Sequence, residues 1–522
     1  MMKFQSWTRS SRRRPPSGAL ALAVLCAALL AGRLPAQEPF PGWDAYVTKA
    51  MADWKVPGLA VAVVRNDSVV YAKGYGVQKV GTGVAVNDRS LFEIGSSSKS
   101  FTATLVAMLV SDGKMRWDDR LSTFIPWFRL ADPVANAEVT LRDALTHRSG
   151  LSRGELSWFA AGVSREEVLR RVRHLKPSSA FRSRWEYQNV MFLAAGEAAG
   201  KAAGTSWDDL LQQRIFAPLQ MTSSQAVARN PESIGNFASS HRVARDTVYA
   251  IPHANMDDIA PAGSIISNAR DMAQWLRFQL GDGMYDGKRL VSSAALRETH
   301  TPQMLMGRGG GGAADSITRF NTYGMGWIVQ DYRRQLVWQH GGNTDGMTTA
   351  MGMLPDAKFG VVILSNMHGS PLPGVLMSYL FDRQLNAPMR DLSGEALTRV
   401  ASQRRRADSV SRTQATQKTA SGPPPLTLAA YTGAYTDSLY GDATVSLNQG
   451  RLTMQRGEWT APLEHWGSGT FKWGALPSAA IVELFVKFDV APDGKVTSLS
   501  FNVGADTTTM LRKAPPRGRE GS

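Results

Sequence analysis

Strand signals lie at the two ends of a long stretch of this chain and are nearly missing between them. Gly58 to Val64 and Ser68 to Tyr75 run apolar or alternate around Asn66-Asp67, a hairpin signal. Strands return only at Gln335 to Gln339, Met347 to Leu354 and Phe359 to Asn366, the last two joined by the turn Pro355-Asp356-Ala357-Lys358. Residues 115 to 335 read mostly as helices and loops, and Trp43 to Trp54 and Gly374 to Leu385 as further helices. A chain patterned this way builds one sheet from both ends and inserts its helices between them. The class expected is α/β (α+β), an antiparallel sheet flanked by helices with a helical insertion.

The composition changes beyond residue 394. Residues 395–425 are rich in Arg, Ser, Thr, Gln and Ala and end in Pro423-Pro424-Pro425, which reads as a basic linker that can start helical. Residues 426–513 show short strands with turn signals at Asn448-Gln449-Gly450 and Pro492-Asp493-Gly494, which predicts a small all-β, barrel-like domain. The strands expected there are Ala443 to Leu447, Arg451 to Gln455, Val482 to Val490, Val496 to Val503 and Thr507 to Leu511. Residues 514–522 read as a disordered tail.

The net charge of +15 invites a nucleic-acid reading, but its distribution argues against one. Residues 1–36 carry +6, residues 399–425 carry +5 and residues 512–522 carry +3, which leaves the folding segments almost neutral. No nucleic-acid partner is expected. Residues 1–36 place Arg12 to Arg14 before the apolar run Ala19 to Ala31, the pattern of an export signal cut after Ala36. The protein is then periplasmic or secreted and meets a membrane only through that signal, if it stays uncleaved. The sole cysteine, Cys26, lies inside the signal, so disulfides and thiol chemistry are not expected downstream. The eight histidines contain no His-x-His or His-Glu-x-x-His spacing, and no metal or cofactor is expected.

Three segments carry candidate chemistry. In Gly95-Ser96-Ser97-Ser98-Lys99, a Ser and a Lys three apart open an amphipathic helical run, Phe101 to Val110. That spacing puts both side chains on one helix face, and an adjacent Lys can take the hydroxyl proton, making Ser96 a nucleophile candidate. Tyr187 and Asn189, in Trp185-Glu186-Tyr187-Gln188-Asn189, precede a second helical run. A phenol beside a Lys ammonium ionises more easily and can serve as a general base, and Asn189 can hydrogen-bond a substrate amide. His340-Gly341-Gly342-Asn343 follows a strand, where glycines let a substrate approach the backbone and an N–H can help hold an oxyanion.

The order and context of these segments resemble the serine β-lactamase and penicillin-binding protein superfamily, in its class C-like branch. Supporting stretches are Leu145-Thr146-His147-Arg148-Ser149-Gly150-Leu151, Pro261-Ala262-Gly263-Ser264 and Tyr323-Gly324-Met325-Gly326-Trp327. The resemblance covers roughly residues 40 to 390, within a hydrolase domain of 37–394. Residues 426 to 513 resemble a small β-domain of unknown role appended to such hydrolases. The resemblance implies an acyl-enzyme on Ser96, with Lys99 and Tyr187 moving its proton and Tyr187 accepting the proton during release. It also implies substrate contacts from Asn189, His340, Gly341, Gly342 and Asn343, the N–H of Asn343 joining that of Ser96. His147 and Arg148 are read as structural.

One departure bears on substrate. Class C β-lactamases carry Lys-Thr-Gly where this chain has His340-Gly341-Gly342. Replacing a fixed cation by an imidazole favours ester, amide or D-amino-acid peptide substrates and implies weak or no β-lactamase activity. Two alternatives stay open: a peptidoglycan D,D-peptidase or penicillin-binding protein acting on cell-wall peptide, and a non-catalytic binding protein of the same fold.

Overall fold

A computed structural model describes residues 38–227, 230–244, 246–307, 318–418, 423–475, 484–503 and 506–514. The export signal expected over 1–36 lies outside these residues, as does the tail expected over 514–522 apart from Ala514. Helix α1 (Trp43–Trp54) leads into β1 (Gly58–Arg65) and β2 (Ser68–Gly76). Asn66 and Asp67 both take positive φ, 49° and 64°, the geometry of a two-residue hairpin turn. The longer helices that follow are α2 (Ser98–Ser111), α3 (Asn189–Ala203) and α4 (Ala269–Leu280). Strands resume as β3 (Met304–Leu305), β4 (Asn321–Tyr323), β5 (Ile328–Tyr332), β6 (Gln335–Thr344), β7 (Met347–Leu354) and β8 (Phe359–Ser365). Helix α5 (Leu372–Gln384) closes the domain.

The eight strands form one antiparallel sheet in the order β2-β1-β8-β7-β6-β5-β4-β3. The expected architecture is therefore present, with β1 pairing directly to β8 in the register Ala62↔Val362. Both faces are covered. Ala60, Ala62, Val64, Val362 and Leu364 face the core shared with α2, α3 and α4, while Leu59, Val61, Val63, Val361 and Ile363 face α1 and α5. Double burial is why these strands are apolar throughout.

Helix α2 departs from the amphipathic expectation. Every residue from Ser98 to Leu109 is buried, so it is the central helix of the domain, enclosed on all sides. Its polar residues are accommodated individually: Thr102 Oγ1–H donates to the Pro261 carbonyl at 2.6 Å, and Ser100 Oγ–H to Ser97 at 2.8 Å.

The segment expected as a linker opens as an ordered helix, α6 (Leu392–Lys418). Its Ala, Arg and Gln content is helix-forming. Its start is pinned to α1: Ser393 N–H donates to Tyr46 Oη and Trp54 Nε1–H donates to Ser393 Oγ, each at 3.0 Å.

The C-terminal domain is a closed eight-stranded antiparallel barrel. Its strands are β9 (Gly433–Asp437), β10 (Gly441–Asn448), β11 (Arg451–Arg456), β12 (Trp459–Gly467), β13 (Thr470–Trp473), β14 (Leu484–Val490), β15 (Val496–Val503) and β16 (Asp506–Arg512). Closure comes from β9 pairing β16, Tyr435 opposite Arg512. Trp459 and Trp473 stack at 3.7 Å in the interior, where side chains fill the space. Among the described residues no helix is long and apolar enough to cross a membrane.

Candidate active site

A 3₁₀ turn, Gly95–Ser97, runs directly into α2. From Leu91 to Leu109 every residue is buried except Ser96. The turn is wedged against β6 by two glycines. Gly95 takes φ +52°, and a Cβ on it would lie 2.8 Å from the Asn343 nitrogen. A Cβ on Gly342 would lie 1.8 Å from the Ile94 carbonyl oxygen. Turn and strand thus meet backbone to backbone. This is why His340, Gly341, Gly342 and Asn343 sit inside β6 rather than in a turn after it.

Lys99 is completely buried. Its Nζ lies 3.1 Å from Ser96 Oγ, 2.8 Å from Asn189 Oδ1 and 2.8 Å from the Ala262 carbonyl. Burial, reinforced by the charge of Arg153, pulls its pKa well below the usual lysine range. A neutral amine has two N–H donors and one lone pair. Nζ donates to the Asn189 and Ala262 oxygens, and in the neutral amine the lone pair would face the Ser96 hydroxyl. Gly326, with φ +73°, packs on the Lys99 backbone, where a Cβ would lie 2.6 Å from its carbonyl oxygen.

Tyr187 Oη lies 2.6 Å from Ser96 Oγ. The sequence reading expected this phenol to ionise readily beside a Lys ammonium. The phenol does reach Ser96; desolvation raises it above its ordinary value and lowers Lys99 below its own.

The Tyr187 segment is clamped from both sides by His147. Glu186 N–H donates to the His147 carbonyl at 2.7 Å, and Gln188 N–H donates to His147 Nδ1 at 3.1 Å. Gln188 in turn caps α3 by accepting from Val190 N–H at 2.8 Å, which fixes Asn189 as the first helical residue. His147 therefore acts on the shape of the site through Tyr187.

His340 is buried and its pKa is pushed down to about 4, chiefly by desolvation. Its Nδ1 lies 2.7 Å from the Gly341 carbonyl and its Nε2 3.0 Å from Tyr323 Oη. These contacts fit a neutral ring that donates from Nδ1 and accepts from the phenol.

Ser96, Tyr187, Asn189, His340, Gly341 and Asn343 all line one cavity of about 590 Å³. Lys99 lies behind Ser96, and Gly342 sits behind the cavity wall against Ile94. Sequence reasoning missed the opposite wall: Arg153, Glu155, Trp158, Phe159 and Met256. Arg153 stacks 4.9 Å from the Tyr187 ring centroid and pairs with Glu155 at 2.6 Å. No spacing motif marks these residues. Among the described residues no group of three or more His, Cys, Asp or Glu gathers in a metal-binding arrangement.

The beta-lactamase family model matches residues 43–380. The chain belongs to the beta-lactamase family. A model described as a domain of unknown function (DUF3471) matches residues 417–514, the barrel and the end of α6. The chain is 26% identical over 510 residues to a protein named unguisins hydrolase ungD from Aspergillus violaceofuscus, covering 90% of this chain and 89% of that one. Its fold matches the octameric penicillin-binding protein homologue from Pyrococcus abyssi, with TM-score 0.61, 20% identity and coverage of 91% and 100%. It also matches a class C beta-lactamase from Rhodobacter sphaeroides, with TM-score 0.54, 21% identity and coverage of 67% and 100%. This beta-lactamase family chain thus joins the class C-like hydrolase fold to an appended barrel.

Proposed function

We propose that this chain is an exported serine hydrolase that works through an acyl-enzyme on Ser96. The observation that carries this reading is the convergence on Ser96 Oγ of Lys99 Nζ at 3.1 Å and Tyr187 Oη at 2.6 Å. Ser96 Oγ attacks a carbonyl carbon while its proton passes to Lys99. The backbone N–H groups of Ser96 and Asn343 take the charge that builds on the carbonyl oxygen. Tyr187 gives its proton to the departing oxygen or nitrogen and regains one from Lys99. Asn189 orients the acyl side. Water then attacks the acyl-enzyme ester, Lys99 takes its proton and passes it to the departing Ser96 Oγ, and the free acid leaves.

The substrates are esters, amides or D-amino-acid peptides, including cell-wall peptide. Supporting this choice are the apolar walls formed by Trp158, Phe159 and Met256. The neutral His340 offers a drug carboxylate no fixed cation. A fluorescent phosphonate tests the core of the reading. Wild-type chain takes the label and Ser96→Ala does not; equal labelling of both overturns the assignment. Rates on a short nitrophenyl ester and on a D-Ala-D-Ala peptide then separate esterase from D,D-peptidase.

A further inference from the structure

We infer that the C-terminal barrel sets the acyl selectivity of the active site, because its β11–β12 turn, Arg456-Gly457-Glu458, holds the 155–162 loop that walls the cavity. This rests on the acyl-transfer reading of Ser96.

Arg456 is 1% exposed, a rare state for a guanidinium. It is spent on carbonyls: Nη2–H donates to Leu156, Nη1 approaches the Phe159 carbonyl at 3.5 Å, and Nε–H donates to Tyr440 at 3.1 Å. Two of these carbonyls belong to the catalytic domain. Gly457 takes φ +54°, and a Cβ there would lie 2.3 Å from the Ala160 carbonyl oxygen and 2.6 Å from that of Ala161. Glu458 N–H donates to the Ala160 carbonyl at 3.0 Å. The turn therefore seats backbone on backbone along the loop, locked by one buried cation.

The same loop reaches the nucleophile. Trp158 and Phe159 stand edge to face at 5.8 Å, and both line the Ser96 cavity. Just upstream, the Ser152 carbonyl accepts from Gln188 Nε2–H at 2.5 Å, and Arg153 stacks on Tyr187. One short segment is thus held by the barrel on one side and touches the Tyr187 segment on the other. Arg456 is a positioning residue: it acts through Trp158 and Phe159, which meet the acyl group.

The test uses the full chain with Arg456→Ala, Arg456→Lys and Gly457→Ala, on nitrophenyl acetate and nitrophenyl octanoate. The expected result is about a tenfold fall in the octanoate-to-acetate ratio of kcat/KM for Arg456→Ala and Gly457→Ala, carried by KM, with partial recovery in Arg456→Lys. Phosphonate labelling of Ser96 persists, and amide hydrogen exchange rises in 155–162 but not in α2. An unchanged ratio, or unchanged exchange in that loop, overturns the inference. Should the variants fail to fold, wild-type chain decides it. Phosphonate on Ser96 slows exchange in 455–459 if site and turn are coupled, and leaves it unchanged if they are not. Absence of any labelling at Ser96 in wild type defeats the acyl-transfer reading instead, and is distinguishable from both.

Discussion

Tyr187 Oη and Ser96 Oγ, separated by 91 positions in the chain, lie 2.6 Å apart. Lys99 reaches the same oxygen from the protein interior. Burial moves the pKa values of the two groups in opposite directions, which is the basis for proposing Lys99 as base and Tyr187 as proton donor. Lys99→Met is expected to abolish phosphonate labelling at neutral pH. Tyr187→Phe keeps the base, so it still labels, but its ester turnover falls by about 10²–10⁴-fold. Stopped-flow labelling beside steady-state rates checks both. Normal labelling in Lys99→Met would return the base role to the phenol.

A pH profile follows from Lys99. The amine must be neutral to act, so activity is low where Lys99 is protonated. It rises through the depressed Lys99 pKa and is complete well before the ordinary lysine range. Stability shares this sign. Unfolded lysine holds its proton up to about pH 10.4, whereas folded Lys99 releases it earlier. Between those two points the unfolded state binds more protons, so stability rises with pH by about 1.4 kcal/mol per unit. Urea unfolding of wild type against Lys99→Met, across that window, reads the difference. Parallel curves would contradict a buried neutral amine.

Gly342→Ala places a methyl 1.8 Å from the Ile94 carbonyl oxygen. Backbone cannot yield as a side-chain tip does, so the strand must lift from the Gly95–Ser97 turn. The expected cost is about 3 kcal/mol of stability, with loss of turnover because Asn343 leaves Ser96. Gly341→Ala is the control, since a Cβ there meets only the Thr349 carbonyl oxygen at 3.4 Å. Chemical denaturation of the pair measures the contrast in stability, and ester rates of Gly342→Ala against wild type measure the loss of turnover.

With His340 neutral down to about pH 4, nitrocefin hydrolysis is expected to stay near the buffer rate at pH 7. Absorbance over an hour at micromolar enzyme settles the point. Rapid turnover would show that another cation, such as Arg153 at the cavity rim, replaces the family's lysine.

The sheet and the hairpin were legible because their signals are local. Asn66-Asp67 names its own turn, and β1 and β8 are apolar except for Arg65 and Ser365 at their ends. Convergence of Ser96, Lys99, Tyr187 and Asn189 was legible through the family pattern of spacing, not through any single motif. What stayed hidden depends on tertiary burial. Residues 101–110 carry only Thr102 and Thr104 as polar groups, so the full enclosure of α2 is readable in the sequence, whereas the pKa shifts of Lys99 and Tyr187 depend on tertiary burial. Strand β12 escaped notice because Pro462 interrupts its signal, yet it pairs Thr453 across the closed barrel. Arg153, Trp158 and Arg456 matter through neighbours distant in sequence, which no local pattern carries.

The pairing of β1 with β8 governs how this molecule comes into being. Leu59 finds its hydrogen-bonded neighbour at Ser365, so the middle of the sheet has no partner until nearly all of the domain has been synthesised. Such high contact order makes for slow, late folding. Any chain truncated before residue 359 leaves the long apolar strand β1 with one edge open, a template for aggregation rather than a smaller enzyme.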